Sequence, residues 1–228
     1  REQSDVLDDI ADLPPELLAI PRRGSVNLHP SLLPRYRGAA PVVWAVVRGE
    51  SQTGITTFLL DSHVDAGDML MQVPVPIDPD ETAGELETRL SDIGAQVVLD
   101  TVDGLEAGTV QPKPQPRGRS TRAPKLTKED GRINWSQPAN AVRNHIRGTN
   151  PVPGAFTLWR GRPLKIHRAQ LAAGAGAPES APGTVLAASE ATGLVVAAGD
   201  GALRLTQVQP EGGRSMDDTA FLRAHDVA

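Results

Sequence analysis

Asn27-Leu28-His29-Pro30-Ser31-Leu32-Leu33-Pro34-Arg35-Tyr36-Arg37-Gly38-Ala39-Ala40-Pro41 is the stretch on which the reading of this chain turns. The preceding Ser25-Val26-Asn27-Leu28 alternates polar and apolar residues as a short strand does, and the His29-Pro30 step ends it. Asn27 and His29 are two positions apart, so in an extended strand their side chains share a face. At a strand's carboxyl end they would point into the crevice where open α/β sheets bind ligands. An amide N–H and a protonated imidazole can both donate to one oxygen, which suits the tetrahedral oxyanion of an acyl transfer. Taken alone, Asn-x-His reads as a turn asparagine beside a structural histidine rather than as a catalytic pair.

Outward from this run the first half alternates strand and helix. Pro41 to Val47 is apolar with Gly49 just beyond, a short helix stopped by glycine. Gly54 to Leu60 reads as a buried strand, and Met69 to Val75 as another, placed at an edge by Pro74 and Pro76. Thr82 to Glu85 has capping-box spacing, and Leu86, Leu90, Ile93, Val97 and Leu105 form a helical stripe that stops at Gly108. Strands alternating with helices predict a βαβ-type sheet. Between two of the strands lies Ser62-His63-Val64-Asp65-Ala66-Gly67-Asp68. A carboxylate there could accept from His29, raise its pKa and relay a proton. Asp65 and Asp68 both qualify, and an aspartate beside glycine is also ordinary turn chemistry.

Residues 111–124 hold four prolines and the cations Lys113, Arg117, Arg119 and Arg122 with no acid. Such a segment is extended and linker-like, either contacting phosphates or merely solvated. Beyond it, Ser136 is positioned to cap a short helix through Ile146. Five strand-like runs follow, at Ala155–Trp159, Pro163–Ala169, Thr184–Ala188, Leu194–Ala198 and Ala202–Val208. They are punctuated by Arg160-Gly161, Gly193 and Gly199-Asp200-Gly201, a pattern that suits an OB-like barrel. Ser215 precedes a closing helix expected over Met216–Ala224.

Composition sets the outer bounds. The 228 residues suit one large or two modest domains, and aromatics at 3% leave a core of Val, Leu, Ile and Ala. The absence of cysteine removes disulfides, thiolate metal sites and cysteine nucleophiles. There is no HExxH, P-loop, strand-following GxGxxG or GxSxG, so the expectation is no metal, no nucleotide chemistry and no serine triad. No apolar run approaches the roughly 18–20 residues that cross a bilayer, and the acidic Arg1–Asp12 segment is unlike a signal peptide. A cytoplasmic protein without membrane partners is expected. The formal charge of −5 is unevenly shared: residues 1–112 carry 7 Lys+Arg against 19 Asp+Glu, the remainder 16 against 9. A basic second half attached to an acidic first half hints at a polyanion partner.

The quoted run, with Asp65 following 36 positions after His29, resembles the active-site signature of the folate-dependent formyltransferases, and Arg-Tyr-Arg-Gly-Ala-Ala-Pro is most similar to the branch acting on methionyl-tRNA. Lys125–Trp135 and Arg147–Ala155 resemble the start of that branch's carboxyl-terminal tRNA-binding domain. The resemblance implies an α/β fold with a Rossmann-like formyltransferase domain at 1–110, a basic linker at 111–130 and an OB-like β-barrel domain at 131–228. It implies transfer of a formyl group from 10-formyltetrahydrofolate to initiator methionyl-tRNA by a monomer. By position-for-position carry-over, Asn27, His29 and Asp65 are catalytic, with Asp65 preferred over Asp68. Ser31, Leu32, Leu33, Pro34, His63 and Asp68 face the folate. Arg35, Arg37, Lys113, Arg117, Arg119, Arg122, Lys125, Lys128 and Arg147 face the nucleic acid, although Arg35 and Arg37 could equally meet a folate glutamate tail. A sugar-nucleotide N-formyltransferase and an inactive tRNA-binding module are the alternatives. The front of the chain departs from the family, holding only about half of the expected catalytic domain. The abrupt junctions near Ile10–Leu13 and Arg117–Arg122 suggest pieces joined across gaps.

Overall fold

The computed structural model describes residues 15–18, 20–172 and 179–226, so the readings made for Arg1–Asp12 lie outside the described residues. The chain divides into two units. One comprises the chain up to Ala45 with Glu50–Pro79 and Glu85–Lys125; the other comprises Val46–Gly49, Asp80–Gly84 and everything from Leu126 onward.

The first unit is built on a three-stranded sheet in the order β1 (Val26–His29), β2 (Gln52–Leu59), β3 (Met69–Pro76). Both pairings are antiparallel, with Asn27 opposite Phe58 and His29 opposite Thr56. This corrects the βαβ expectation for the described strands. Helix α2 (Pro41–Val47) follows the turn α1 (Pro15–Leu18) and has only 7 residues. It does not act as the crossover helix of a βαβ unit, since β1 and β2 pair antiparallel on either side of it. Between β2 and β3 the chain reverses through a loop without any helix. The two prolines of β3 sit on an edge strand, where a missing N–H is tolerated.

Helix α3 (Ala83–Ala107) buries Leu86, Leu90 and Val97. It reaches the sheet through Thr101, whose hydroxyl lies 2.8 Å from that of Thr57. Gly94 permits the close approach, since a Cβ there would stand 2.8 Å from Leu28 Cδ1. After the helix, the proline-rich stretch does not leave the unit. Met69 and Lys113 exchange both backbone hydrogen bonds at 2.8 Å. Arg37 N–H donates to Thr121 O at 2.9 Å, and Ala123 N–H returns a bond to Arg37 O at 2.7 Å. Residues 111–124 thus form a strap laid against the loop after β1.

The second unit carries a short 3-10 turn (Lys128–Gly131), helix α4 (Ala139–Gly148) and six strands. These are β4 (Phe156–Trp159), β5 (Arg162–Leu171), β6 (Val185–Ser189), β7 (Gly193–Ala197), β8 (Ala202–Pro210) and the two-residue β9 (Met216–Asp217), followed by α5 (Asp218–Ala224). The five expected strands all form. They run antiparallel in the order β4-β5-β8-β7-β6, with β9 added to β8. The β4–β5 hairpin turns through Arg160 and Gly161, at φ 51° and 76°, the pair of positive values that a tight two-residue hairpin requires. Ile146, Ile166, Leu203, Leu205, Val208 and Phe221 are almost completely buried and form the centre of the core.

Two helix starts differ from the sequence expectation. Ser136 does not cap α4; its hydroxyl donates to Asn134 Oδ1, while the helix N–H of Ala139 donates to Asp200 Oδ1 at 2.7 Å. The cap arrives from the β7–β8 turn, 61 positions away. At α5, Asp217 rather than Ser215 is the cap, accepting from Ala220 N–H at 2.7 Å, and Met216 belongs to β9. Asp200→Ala should therefore lower stability by about 1 kcal/mol, whereas Ser136→Ala should change it by under ~0.5 kcal/mol. Thermal denaturation of the two variants checks this. Equal losses would return the cap to Ser136.

Candidate active site

The end of β1 delivers His29 into an interior position, only 5% exposed. Its Nε2 lies 2.7 Å from the carbonyl oxygen of Tyr36. A carbonyl only accepts, so Nε2 carries the hydrogen. On the other side, Nδ1 faces Asp65 Oδ2 at 3.5 Å. Burial lowers the pKa of His29 below its ordinary value, and Arg37 lowers it further. The Asp65 carboxylate and the Tyr36 carbonyl act in the opposite direction but do not prevail. A neutral ring with its hydrogen on Nε2 presents a lone pair at Nδ1 to a carboxylate, which accounts for a separation longer than a charge-assisted hydrogen bond.

A lowered folded pKa means that protonating His29 favours the unfolded chain, so its contribution to stability is present above about pH 6.5 and is lost as pH falls through the folded value. A ¹⁵N spectrum at pH 7 should show His29 neutral and protonated at Nε2. A signal from the Nδ1–H form would overturn this assignment.

Asp65 lies in the loop joining β2 to β3 with φ at 51°, a left-handed conformation that aspartate tolerates better than most residues. Its Oδ2 accepts from the backbone N–H of Gly38 at 2.7 Å. Its carbonyl, with that of Gly67, accepts from Gln115 Nε2 at 2.8 and 2.9 Å. Asn27 is half-buried, and its Oδ1 accepts from the N–H of Leu28 at 2.9 Å. Its Nδ2 has no partner among the described residues. The sheet and the two loops thus bring His29 and Asp65 together, with Asn27 two residues back on the same strand.

The residues after His29 serve partly as scaffold. Ser31 is fully buried, and its hydroxyl donates to Arg35 O at 2.6 Å. Leu33 N–H donates to Thr56 Oγ1 at 3.1 Å, and Gln72 Nε2 donates to Leu33 O at 2.7 Å. Leu32, Leu33 and Pro34, with Met69, Gln72 and Arg119, line an open pocket of about 440 Å³. His63 and Asp68 are exposed and make no hydrogen bond or ion pair to His29 or Asp65 among the described residues.

The predicted cations differ in burial. Arg35 pairs with Glu50, which also accepts from the Tyr36 hydroxyl at 2.6 Å. Arg37 donates to Gln115 Oε1 from Nε at 3.1 Å and from Nη2 at 2.5 Å. Lys113, Arg117, Arg119, Arg122, Lys125 and Lys128 are exposed. Arg147 is buried in the second unit, donating to Asn144 Oδ1 at 2.9 Å and Glu81 O at 3.1 Å, and burial lowers its pKa. No cluster of three or more metal-ligating side chains occurs among the described residues. Gln115 escaped the sequence reading, because a glutamine in a proline-rich stretch carries no local sign of a long-range partner.

Residues 12–102 match the model of a family described as formyl transferase, and residues 125–226 match that of the formyl transferase C-terminal domain. The methionyl-tRNA formyltransferase of Trichlorobacter lovleyi is 45% identical over 216 residues, which is 95% of this chain and 67% of that protein. The chain belongs to the methionyl-tRNA formyltransferase family. The enzyme of the same name from Solibacter usitatus is also 45% identical, over 92% of this chain and 66% of its own length. The chain therefore spans about two thirds of the length of these curated relatives. Among solved structures, the methionyl-tRNA formyltransferase of Clostridium thermocellum superposes with a TM-score of 0.55 at 25% identity, covering 65% of this chain and 64% of that one. HypX from Aquifex aeolicus, solved with tetrahydrofolic acid, shares the fold at a TM-score of 0.64 and 22% identity, over 86% of this chain and 34% of its own. No helix of the described residues is long and apolar enough to cross a membrane.

Proposed function

We propose that the protein transfers the formyl group of 10-formyltetrahydrofolate to the α-amino group of initiator methionyl-tRNA, acting as a cytoplasmic monomer. The observation that carries this reading is the facing of His29 and Asp65 at the end of β1, with the Asn27 amide two residues back. An α-amino group titrates near ~7.7–8.0, so roughly a tenth or more of it is already neutral and nucleophilic at pH 7 without a strong base. Its nitrogen attacks the formyl carbon, and the carbonyl electrons move onto oxygen. Asn27 Nδ2 is the donor available to that oxyanion. His29 joins it by exchanging the Tyr36 carbonyl for the oxyanion at Nε2. The proton shed by the amine passes through Asp65 to the folate nitrogen as the C–N bond to the donor breaks. No metal takes part in these steps.

Folate lies against Ser31–Pro34, His63 and Asp68 in this reading, and the acceptor-stem phosphates meet the exposed cations of the strap and the second unit. We take the domains as a Rossmann-like catalytic part over 1–110, a basic connection over 111–130 and an OB-like tRNA-binding part over 131–228. Phosphate contacts make binding strongly salt-dependent.

The test supplies the full-length enzyme with the formyl donor and charged initiator tRNA and measures N-formylmethionine. Formylation of an amino-sugar nucleotide instead, or tRNA binding without any turnover, would overturn the proposal.

A further inference from the structure

We propose that Gln115, anchored by Arg37, is the positioning residue that sets Asp65 against His29. This rests on the reading of His29 and Asp65 as the reacting pair. The amide of Gln115 is fully engaged: Nε2 donates to Asp65 O at 2.8 Å and to Gly67 O at 2.9 Å, while Oε1 accepts from two nitrogens of Arg37. The orientation of the amide is fixed chemically. A guanidinium only donates, so the face toward Arg37 must be the oxygen and the face toward the two carbonyls must be the NH2 group.

What this amide holds is a conformation that needs holding. Asp65 sits at φ 51°, and a non-glycine residue in that region persists only where its surroundings over-determine it. Two groups do so from opposite ends. Gly38 N–H fixes the carboxylate, and Gln115 fixes the backbone carbonyls of Asp65 and Gly67.

Gln115 is itself held at both ends of the strap. On one side Met69 and Lys113 pair through two backbone bonds of 2.8 Å, and on the other Arg37 is bracketed by Thr121 and Ala123. The strap therefore has work to do besides joining two halves of the chain. It carries an amide to the underside of the loop whose side chain faces the imidazole. Arg37, read from sequence as a phosphate contact, is the anchor of that amide.

Arg37 also bears directly on His29, lowering its affinity for a proton, so Arg37 variants change two things at once. Gln115 is the cleaner position. Gln115→Leu keeps the volume and removes every hydrogen bond. Gln115→Glu keeps an acceptor for Arg37 but sets a carboxylate against two carbonyls. In the full-length enzyme, both variants should lose about 10- to 100-fold in kcat, with KM for each substrate within about 2-fold, as misplacement of a reacting group predicts. The His29 imidazole, followed by NMR, should titrate at lower pH in Gln115→Leu, because Asp65 no longer supports its protonated form.

Loss of thermal stability with kcat and the His29 titration unchanged would overturn the inference, since a purely structural tie moves only the first. Should Gln115→Leu not fold, Gln115→Glu carries the same kinetic comparison. Asp65→Asn, run alongside, separates the two claims. If it is inactive while both Gln115 variants match the wild type, positioning by Gln115 is wrong and the site stands. If Asp65→Asn is fully active, the site itself is wrong.

Discussion

Asp65→Asn should lower kcat by about 10³-fold while leaving KM for methionyl-tRNA within about 2-fold, a loss of the size that removing a proton-transferring group produces. The substitution is isosteric, and the asparagine oxygen can still accept from Gly38 N–H, as Asp65 Oδ2 does at 2.7 Å. The Gln115 bonds reach the backbone carbonyls of Asp65 and Gly67, so they survive as well. What disappears is one negative charge facing Nδ1 of a buried imidazole. Of the influences on His29, the Asp65 charge is the largest that favours the protonated ring. Its removal leaves burial and Arg37 unopposed except by the Tyr36 carbonyl, so the imidazole becomes harder still to protonate. Steady-state kinetics across pH 6 to 9 check the prediction, with thermal denaturation as the control. A variant with wild-type turnover would remove Asp65 from the mechanism.

Gly67→Ala should be the most damaging small substitution in the site loop. A Cβ there would stand 1.7 Å from the carbonyl oxygen of Leu59 and 2.9 Å from its carbon. Backbone on the far side cannot step back freely, because Leu59 N–H is already bonded to Asp68 O at 2.9 Å, just past the glycine. The loop must open, and with it the Gln115 bond to the Gly67 carbonyl. Overpacking of this kind typically lowers stability by about 1–3 kcal/mol and occasionally more, and a contact this short with backbone belongs at or above the upper figure. Activity should fall about 100-fold as Asp65 moves away from His29. Urea denaturation together with kcat checks both, and a variant as stable and active as the wild type would show that the loop yields without harm.

Much of this site was legible in the chain. Asn27 and His29 share a strand end because their spacing is two, whereas loop placement offered Asp65 and Asp68 alike and only the family resemblance chose Asp65. The β4–β5 hairpin was announced by Arg160-Gly161, whose backbone demands are local. What escaped was set by contacts distant in sequence. The antiparallel direction of β1–β2–β3 depends on which strand edges meet in space, which apolar periodicity does not encode. Ser136 sat where a cap belongs, yet Asp200 fills the role from 61 positions beyond Ala139. Gln115 was hidden among prolines, although the density that marked a linker also marks a stiff extended segment suited to lying across another loop.

That segment bears on how the two halves could be recombined. Backbone pairing with the first unit continues to Ala123, and Pro124 O still accepts from Trp44 Nε1 at 2.7 Å. A chimera that took its second half from a relative would have to cross over beyond Pro124. A junction at residue 110, where composition changes, would import a foreign glutamine or its substitute beneath a native Asp65 loop.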